Sequence, residues 1–206
     1  MKTGIIDYGM GNLGSVTRAL LRLGCEPEIT DRPERLADVA RIVLPGVGGF
    51  ADAMRLLERR GWPDAIRAEA ATGKPVLGIC LGMQLLASRG TEGGETDGLN
   101  LIEGVVQRLD TLGSLERVPH VGWNSIRRCG DPLLLRGIPD QTDFYFVHSY
   151  IFVPVDMGDV AAQAHYGVDF CCIVQRRNIM GTQFHPEKSS KAGLQLLRNF
   201  LELQPC

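Results

Sequence analysis

The chain has 206 residues, enough for one domain (residues 1–206) with a substantial core. Its 22 basic and 24 acidic residues are mixed along the chain and leave a net charge of −2, so electrostatics point neither to nucleic acid nor to an anionic membrane. No apolar run approaches the length of a spanning helix, and Met1-Lys2-Thr3 leads straight into a strand-like Gly4-Ile5-Ile6; no signal peptide is expected, and the expected compartment is the cytosol.

The first half alternates strand and helix. Gly4–Tyr8 reads as a strand, Ser15–Leu23 as a helix, and Pro27–Thr30 and Arg41–Leu44 as strands. Asp52–Arg60 and Pro63–Ala71 read as helices, and Pro75–Ile79 as a further strand. Short apolar strands between amphipathic helices predict βαβ units and a parallel sheet covered on both faces. After Leu101 the pattern changes. Gly104–Leu109, Trp123–Arg127, Phe144–Val147, Tyr150–Val153, Val160–His165, Phe170–Gln175 and Ile179–Gln183 are strand candidates joined by turn signals, which predicts hairpins. Ser190–Leu203 is an amphipathic helix with Leu194, Leu197 and Leu201 on one face. Gly90–Asn100, glycine-rich and acidic, reads as an exposed loop. The predicted fold is a three-layer α/β sandwich: a central, mainly parallel sheet with antiparallel strands added in the second half.

Among six cysteines (Cys25, Cys80, Cys129, Cys171, Cys172, Cys206) there is no C-x-x-C pair and no zinc spacing, so free thiols are expected and neither a metal nor a cofactor is. Cys25, Cys171 and Cys172 read as packing residues. Cys80 differs. It lies in Gly78-Ile79-Cys80-Leu81-Gly82, between an apolar strand and a helix-like run from Met83 to Ser88. This is the cysteine form of the G-x-C-x-G nucleophile elbow, whose small residues permit a sharp strand-to-helix turn. The turn would raise the sulfur at the carboxyl end of the sheet, toward a helix amino terminus that favours the thiolate. His185-Pro186-Glu187 supplies a base and an orienting carboxylate, the partners a thiol nucleophile requires.

Three further motifs carry chemistry. Pro45-Gly46-Val47-Gly48-Gly49-Phe50 follows a strand and suits backbone N–H groups aimed at an oxyanion; a flexible turn is the alternative. Gln84, one helical turn beyond Cys80, would face the same pocket and suit a zwitterionic substrate, unless it faces solvent. Gly9-Met10-Gly11-Asn12-Leu13-Gly14 fits the dinucleotide fingerprint, with Asp31 where a ribose-binding carboxylate would be, but three glycines also make a tight βα turn facing a partner or ligand. His120 and His148, each in an aromatic-rich segment, read on composition as structural histidines, as does His165.

Taken together, Gly78–Gln84 and Phe184–Glu187 resemble the triad (class I) glutamine amidotransferases. Asp7–Leu13, Pro45–Gly48, Pro119–Asn124, Tyr145–Tyr150 and Gly181–Ser189 are most similar to the family of glutaminase subunits of imidazole glycerol phosphate synthase, a histidine-biosynthesis enzyme. The resemblance runs from Ile5 to Leu201 and implies a Cys80–His185–Glu187 triad that hydrolyses L-glutamine. It implies oxyanion donors near Val47 (with Gly46 and Gly48) and Leu81, and an amino-acid end held by Gln84 and the backbone of His148, Ser149 and Tyr150. It also implies a heterodimer with a (β/α)8-barrel cyclase, faced by Asn12 and Lys188. The cyclase would turn the ammonia and a phosphoribulosyl-formimino ribotide into imidazole glycerol phosphate and an aminoimidazole carboxamide ribotide. Glutaminase activity would stay low until cyclase and ligand are bound. Three readings compete: glutaminase for another synthase such as that making pyridoxal phosphate, a general thiol hydrolase, and a nucleotide-binding regulatory module built on Gly9–Gly14.

Overall fold

The computed structural model describes residues 2–204, so Cys206 lies outside the described residues. In chain order, β1 (Thr3–Ile6) leads to α1 (Leu13–Arg22), β2 (Glu28–Thr30), β3 (Arg41–Gly46), α2 (Phe50–Arg59), α3 (Trp62–Ala71), β4 (Val76–Cys80) and α4 (Leu81–Leu85). Strands β5 (Arg89–Gly90), β6 (Thr96–Asp97), β7 (Gly104–Arg108), β8 (His120–Arg128), β9 (Thr142–His148) and β10 (Tyr150–Pro154) follow. Then come β11 (Val160–His165), β12 (Asp169–Arg176), β13 (Ile179–Thr182) and α5 (Ser190–Glu202).

Nine strands form one mixed sheet in the order β2-β1-β3-β4-β13-β12-β11-β8-β9. The segment from β2 to β13 is parallel, and everything from β12 to β9 is antiparallel. The two textures of the sequence are thus two halves of one sheet, joined where β13 inserts beside β4. A second sheet, β10-β7-β5-β6, packs beside it.

The parallel strands are apolar on both faces. Ile5, Val43, Leu77 and Ile79 join α1 residues Val16, Ala19 and Leu20 and α5 residues Leu196, Leu197 and Phe200 in one core. Their neighbours Ile6, Ile42, Leu44 and Val76 join Phe50, Met54 and Leu57 of α2 and Trp62 and Ile66 of α3 in the other. Period-2 side chains on a sheet covered on both sides produce this division. In α5 the buried stripe is Leu196, Leu197 and Phe200, with Leu194 and Leu201 half-buried at its edge. The segment read as an exposed loop, Gly90–Asn100, is largely exposed, though it carries the turn of the short β5–β6 hairpin and buries Leu99 completely. Cys171 and Cys172 are buried and Cys25 is half-buried against the core, as packing cysteines would be. No helix among the described residues is long and apolar enough to cross a membrane.

One contact fixes α5 against the segment that carries His185 and Glu187. A Cβ on Gly193 would lie 1.9 Å from the Pro186 carbonyl oxygen, so only glycine lets the helix approach this closely. Gly193→Ala is expected to destabilise the chain by about 1–3 kcal/mol, the usual cost of overpacking, read as a lower urea midpoint at unchanged slope.

Candidate active site

Strand β4 is flanked in parallel by β3 and β13, and all three point their carboxyl ends at the same cleft. Cys80 ends β4 at φ 56°, ψ −109°, a left-handed conformation that costs a non-glycine residue of order 1–3 kcal/mol. It persists because the turn is squeezed from below. A Cβ on Gly82 would sit 1.8 Å from the Leu44 carbonyl oxygen, so the first turn of α4 lies directly on β3. The helix that follows is only five residues long, Leu81–Leu85, shorter than the run from Met83 to Ser88 suggests. As its first residue, Leu81 has an N–H without an intrahelical acceptor. On β3, Gly46 stands opposite Cys80 in register, and Val47 and Gly48 continue from it along the rim of the cleft.

On the other flank, β13 leads through Gln183 and Phe184 to His185. The His185 N–H donates to the Tyr145 carbonyl (3.0 Å), and its own carbonyl accepts from Ser189 Oγ (2.6 Å). Ser189 Oγ in turn accepts from the Tyr145 N–H at 3.0 Å, tying the loop to β9. His185 Nδ1 donates to Glu187 Oε1 at 2.8 Å, with the two side chains 3% and 1% exposed. Burial alone would lower the imidazole, but hydrogen bonds and charge from Cys80 and Glu187 outweigh it and hold the group up at about 9. With Nδ1 taken by the carboxylate, Nε2 is the nitrogen that meets the thiol. Cys80 Sγ also lies 3.8 Å from both Gln183 Nε2 and the Val147 carbonyl.

These groups head a cleft of about 320 Å³. Gln84, His148, Ser149 and Tyr150 also line it. Gln84 Nε2 donates to the Tyr150 carbonyl (2.9 Å) and to Gln183 Oε1 (3.1 Å). Both amide hydrogens are therefore committed, and the side chain offers a ligand only its carbonyl oxygen. A thiol, an imidazole, a carboxylate hydrogen-bonded to it and a polar slot are the groups that covalent acyl transfer at sulfur requires.

A family model described as glutamine amidotransferase class-I matches residues 4–203. The chain belongs to the class-I glutamine amidotransferases. It is 52% identical to the imidazole glycerol phosphate synthase subunit HisH of Moorella thermoacetica, over 97% of this chain and 93% of that protein. It is 45% identical to the HisH subunit of Chlorobaculum tepidum, over 96% and 98%. In fold it is similar to a crystal structure of a glutamine amidotransferase (TM-score 0.77, 23% identity, 97% of each chain). It is similar also to a glutamine amidotransferase from Thermotoga maritima (TM-score 0.66, 17% identity, 98% of this chain and 83% of that one).

For this amidotransferase, then, Val47, Gly48, Cys80, Leu81, Gln84, His148, Ser149, Tyr150, His185 and Lys188 all border one cleft. Gly46 lies beside Cys80 in the sheet and Glu187 behind His185. Asn12 does not line the cleft; its side chain caps α1, accepting from the Ser15 N–H at 3.3 Å. The glycines before it serve a tight turn: Gly9 and Gly11 take φ 99° and 151°, and Gly11 rests against Pro45. Sequence reasoning missed Glu92. It reaches the cleft from the β5–β6 hairpin, with Oε2 accepting from the Phe50 N–H at 2.7 Å at the start of α2. An acidic residue in a glycine-rich loop carries no local signal that a helix terminus elsewhere will hold it.

The raised His185 value has two consequences. Stability from its charged form is complete below the unfolded value near 6.5 and is lost as pH rises through about 9. In a pH profile of kcat/KM the alkaline limb is expected near pH 9, and Glu187→Gln, which removes one source of the rise, is expected to move it downward.

Proposed function

We propose that this chain is the glutaminase subunit of an imidazole glycerol phosphate synthase of histidine biosynthesis. As one amidotransferase domain in the cytoplasm, it would release ammonia from L-glutamine for a (β/α)8-barrel cyclase bound as a heterodimer. The observation that carries the reading is the buried His185–Glu187 pair set against a strained Cys80 at the head of an amino-acid-sized cleft. The relatives named as HisH subunits support the choice of synthase.

In this reading Cys80 Sγ attacks the side-chain carbonyl carbon of glutamine, with its proton on His185 Nε2. N–H groups at Val47 and Leu81 receive the negative charge that grows on the carbonyl oxygen. Collapse breaks the C–N bond, and His185 gives its proton to the departing ammonia. Water, deprotonated by His185, then cleaves the thioester and frees glutamate and Cys80. Glu187 keeps the imidazole in the Nδ1–H form that points Nε2 at sulfur. At the far end, Gln84 Oε1 and the Glu92 carboxylate accept from the substrate's N–H groups, and Glu92 opposes the α-ammonium. Backbone at His148, Ser149 and Tyr150 completes the wall.

Lys188 borders both this cleft and a neighbouring hollow of about 620 Å³ that also carries Arg18, Arg22, Lys191 and Trp123. Four cations around a tryptophan that is 55% exposed suit a partner with an acidic face. We place the cyclase there, with Lys188 and Asn12 facing it.

Glutamate release by the isolated chain is expected to be weak, and to rise strongly when the cognate cyclase and its ribotide ligand are added; Cys80→Ala removes it. Turnover that is already high alone, and indifferent to cyclase and ligand, would count against this reading. Glu92→Gln is expected to raise KM for glutamine by about tenfold or more with a smaller effect on kcat, the loss of one charge-assisted hydrogen bond.

A further inference from the structure

His120 and His148 are cross-strand partners on β8 and β9, and both are buried. Their rings meet through His120 Nδ1 and His148 Nε2 at 3.0 Å. The proton positions in this pair follow from the groups at its two ends. His148 Nδ1 lies 3.1 Å from the Tyr150 carbonyl, which can only accept, so Nδ1 carries the hydrogen. In the neutral ring Nε2 is then an acceptor, and His120 must donate to it from Nδ1. His120 Nε2 is left as an acceptor, and it faces Asn124 Nδ2 at 3.4 Å. That amide's other hydrogen goes to the His165 carbonyl at 2.9 Å, which fixes the amide as a donor. Every link is satisfied with both rings uncharged and in the same tautomer.

The surroundings enforce that state. His120 is stacked between Tyr166 (ring centroids 4.0 Å apart) and Phe146 (4.9 Å), and Phe170 borders both histidines. Burial pushes His120 down to about 4, and burial together with His120 and His185 pushes His148 down to about 3. The chain of hydrogen bonds ends on the cleft wall. The Tyr150 carbonyl takes His148 on one side and Gln84 Nε2 on the other, so its two lone pairs are filled. That carbonyl ties the Ser149–Tyr150 backbone to Gln84, whose Nε2 hydrogens are both taken and whose Oε1 is the atom left to accept.

We infer that His120 and His148 are positioning residues of the glutaminase: two neutral imidazoles, hydrogen-bonded in series from Asn124, that hold the Tyr150 carbonyl and with it the wall binding the amino-acid end of glutamine. The inference rests on the reading of the cleft as glutamine's. Neither histidine transfers a proton to substrate, so removing His120 should weaken glutamine binding and spare the chemical step.

The test uses the subunit assembled with its cyclase and ligand. His120→Leu keeps the bulk and removes the donor; His120→Asn restores a donor where Nδ1 stood. His120→Leu is expected to raise KM for glutamine by about tenfold, one buried hydrogen bond's worth, with kcat changed by less than about threefold. His120→Asn is expected to recover most of that KM. A second readout needs no variant: nitrogen-15 spectra of the histidine rings at pH 7 should show His120 and His148 neutral and protonated at Nδ1. Equal KM in native and His120→Leu enzymes, a loss confined to kcat, or a His148 ring protonated at Nε2 would each overturn the inference. If His120→Leu does not fold, the spectra decide. Native complex that releases no glutamate would overturn the reading of the cleft together with the inference, whereas native turnover with the wrong tautomer overturns the inference alone.

Discussion

The left-handed backbone of Cys80 is the constraint on which the rest of the site depends. A cysteine at φ 56° is unfavourable by itself, and it is held because β4 cannot continue and α4 cannot start anywhere else. Below the turn, Gly82 presses on the Leu44 carbonyl of β3. Beside it, β3 and β13 pair with β4 along their length, so the strand has no freedom to rotate. The energy stored in one residue is therefore supplied by the packing of three parallel strands with apolar side chains on both faces. The result is a sulfur lifted clear of the sheet, with the segment from Gly46 on one side and His185 on the other.

That placement also explains the division of the sheet. A parallel strand such as β13 needs a crossover connection, and here the crossover is the whole antiparallel half of the molecule, from β5 to β12. The insertion brings the His148–Tyr150 segment and the Glu92 hairpin to the cleft rim, and β13, the strand that follows it, carries the chain to His185 beside Cys80. The half of the chain that looks like an addition to an α/β fold thus contributes His148, Ser149, Tyr150 and Glu92 to the lining of the cleft.

Charge in the cleft is segregated by burial and hydrogen bonding. Three histidines lie close together, yet His185 is raised by hydrogen bonds and charge from Cys80 and Glu187, while burial lowers His120 and His148. In the proposed function the same residue type is proton carrier in one place and, by our inference, a fixed donor–acceptor spacer in the other. Each Nδ1 also faces a different group: Glu187 Oε1 for His185, the Tyr150 carbonyl for His148 and the other imidazole for His120.

Much of this was legible in the sequence. Strand and helix periods predicted the parallel half, because alternating burial on a covered sheet imposes its period on the residues. The elbow and the His-Pro-Glu run were legible too, because a sharp turn demands small residues and a thiol demands a base, and both demands act over a few positions. What tertiary structure alone decided involves partners far apart in the chain. Glu92 reads as a solvent-facing loop residue until the start of α2 captures it, 42 positions away. His120 and His148 read as ordinary core histidines until β8 and β9 pair in the register that sets them opposite one another. Local sequence specifies backbone preference and side-chain chemistry; which distant donor a given acceptor meets is fixed only when the strands choose their register.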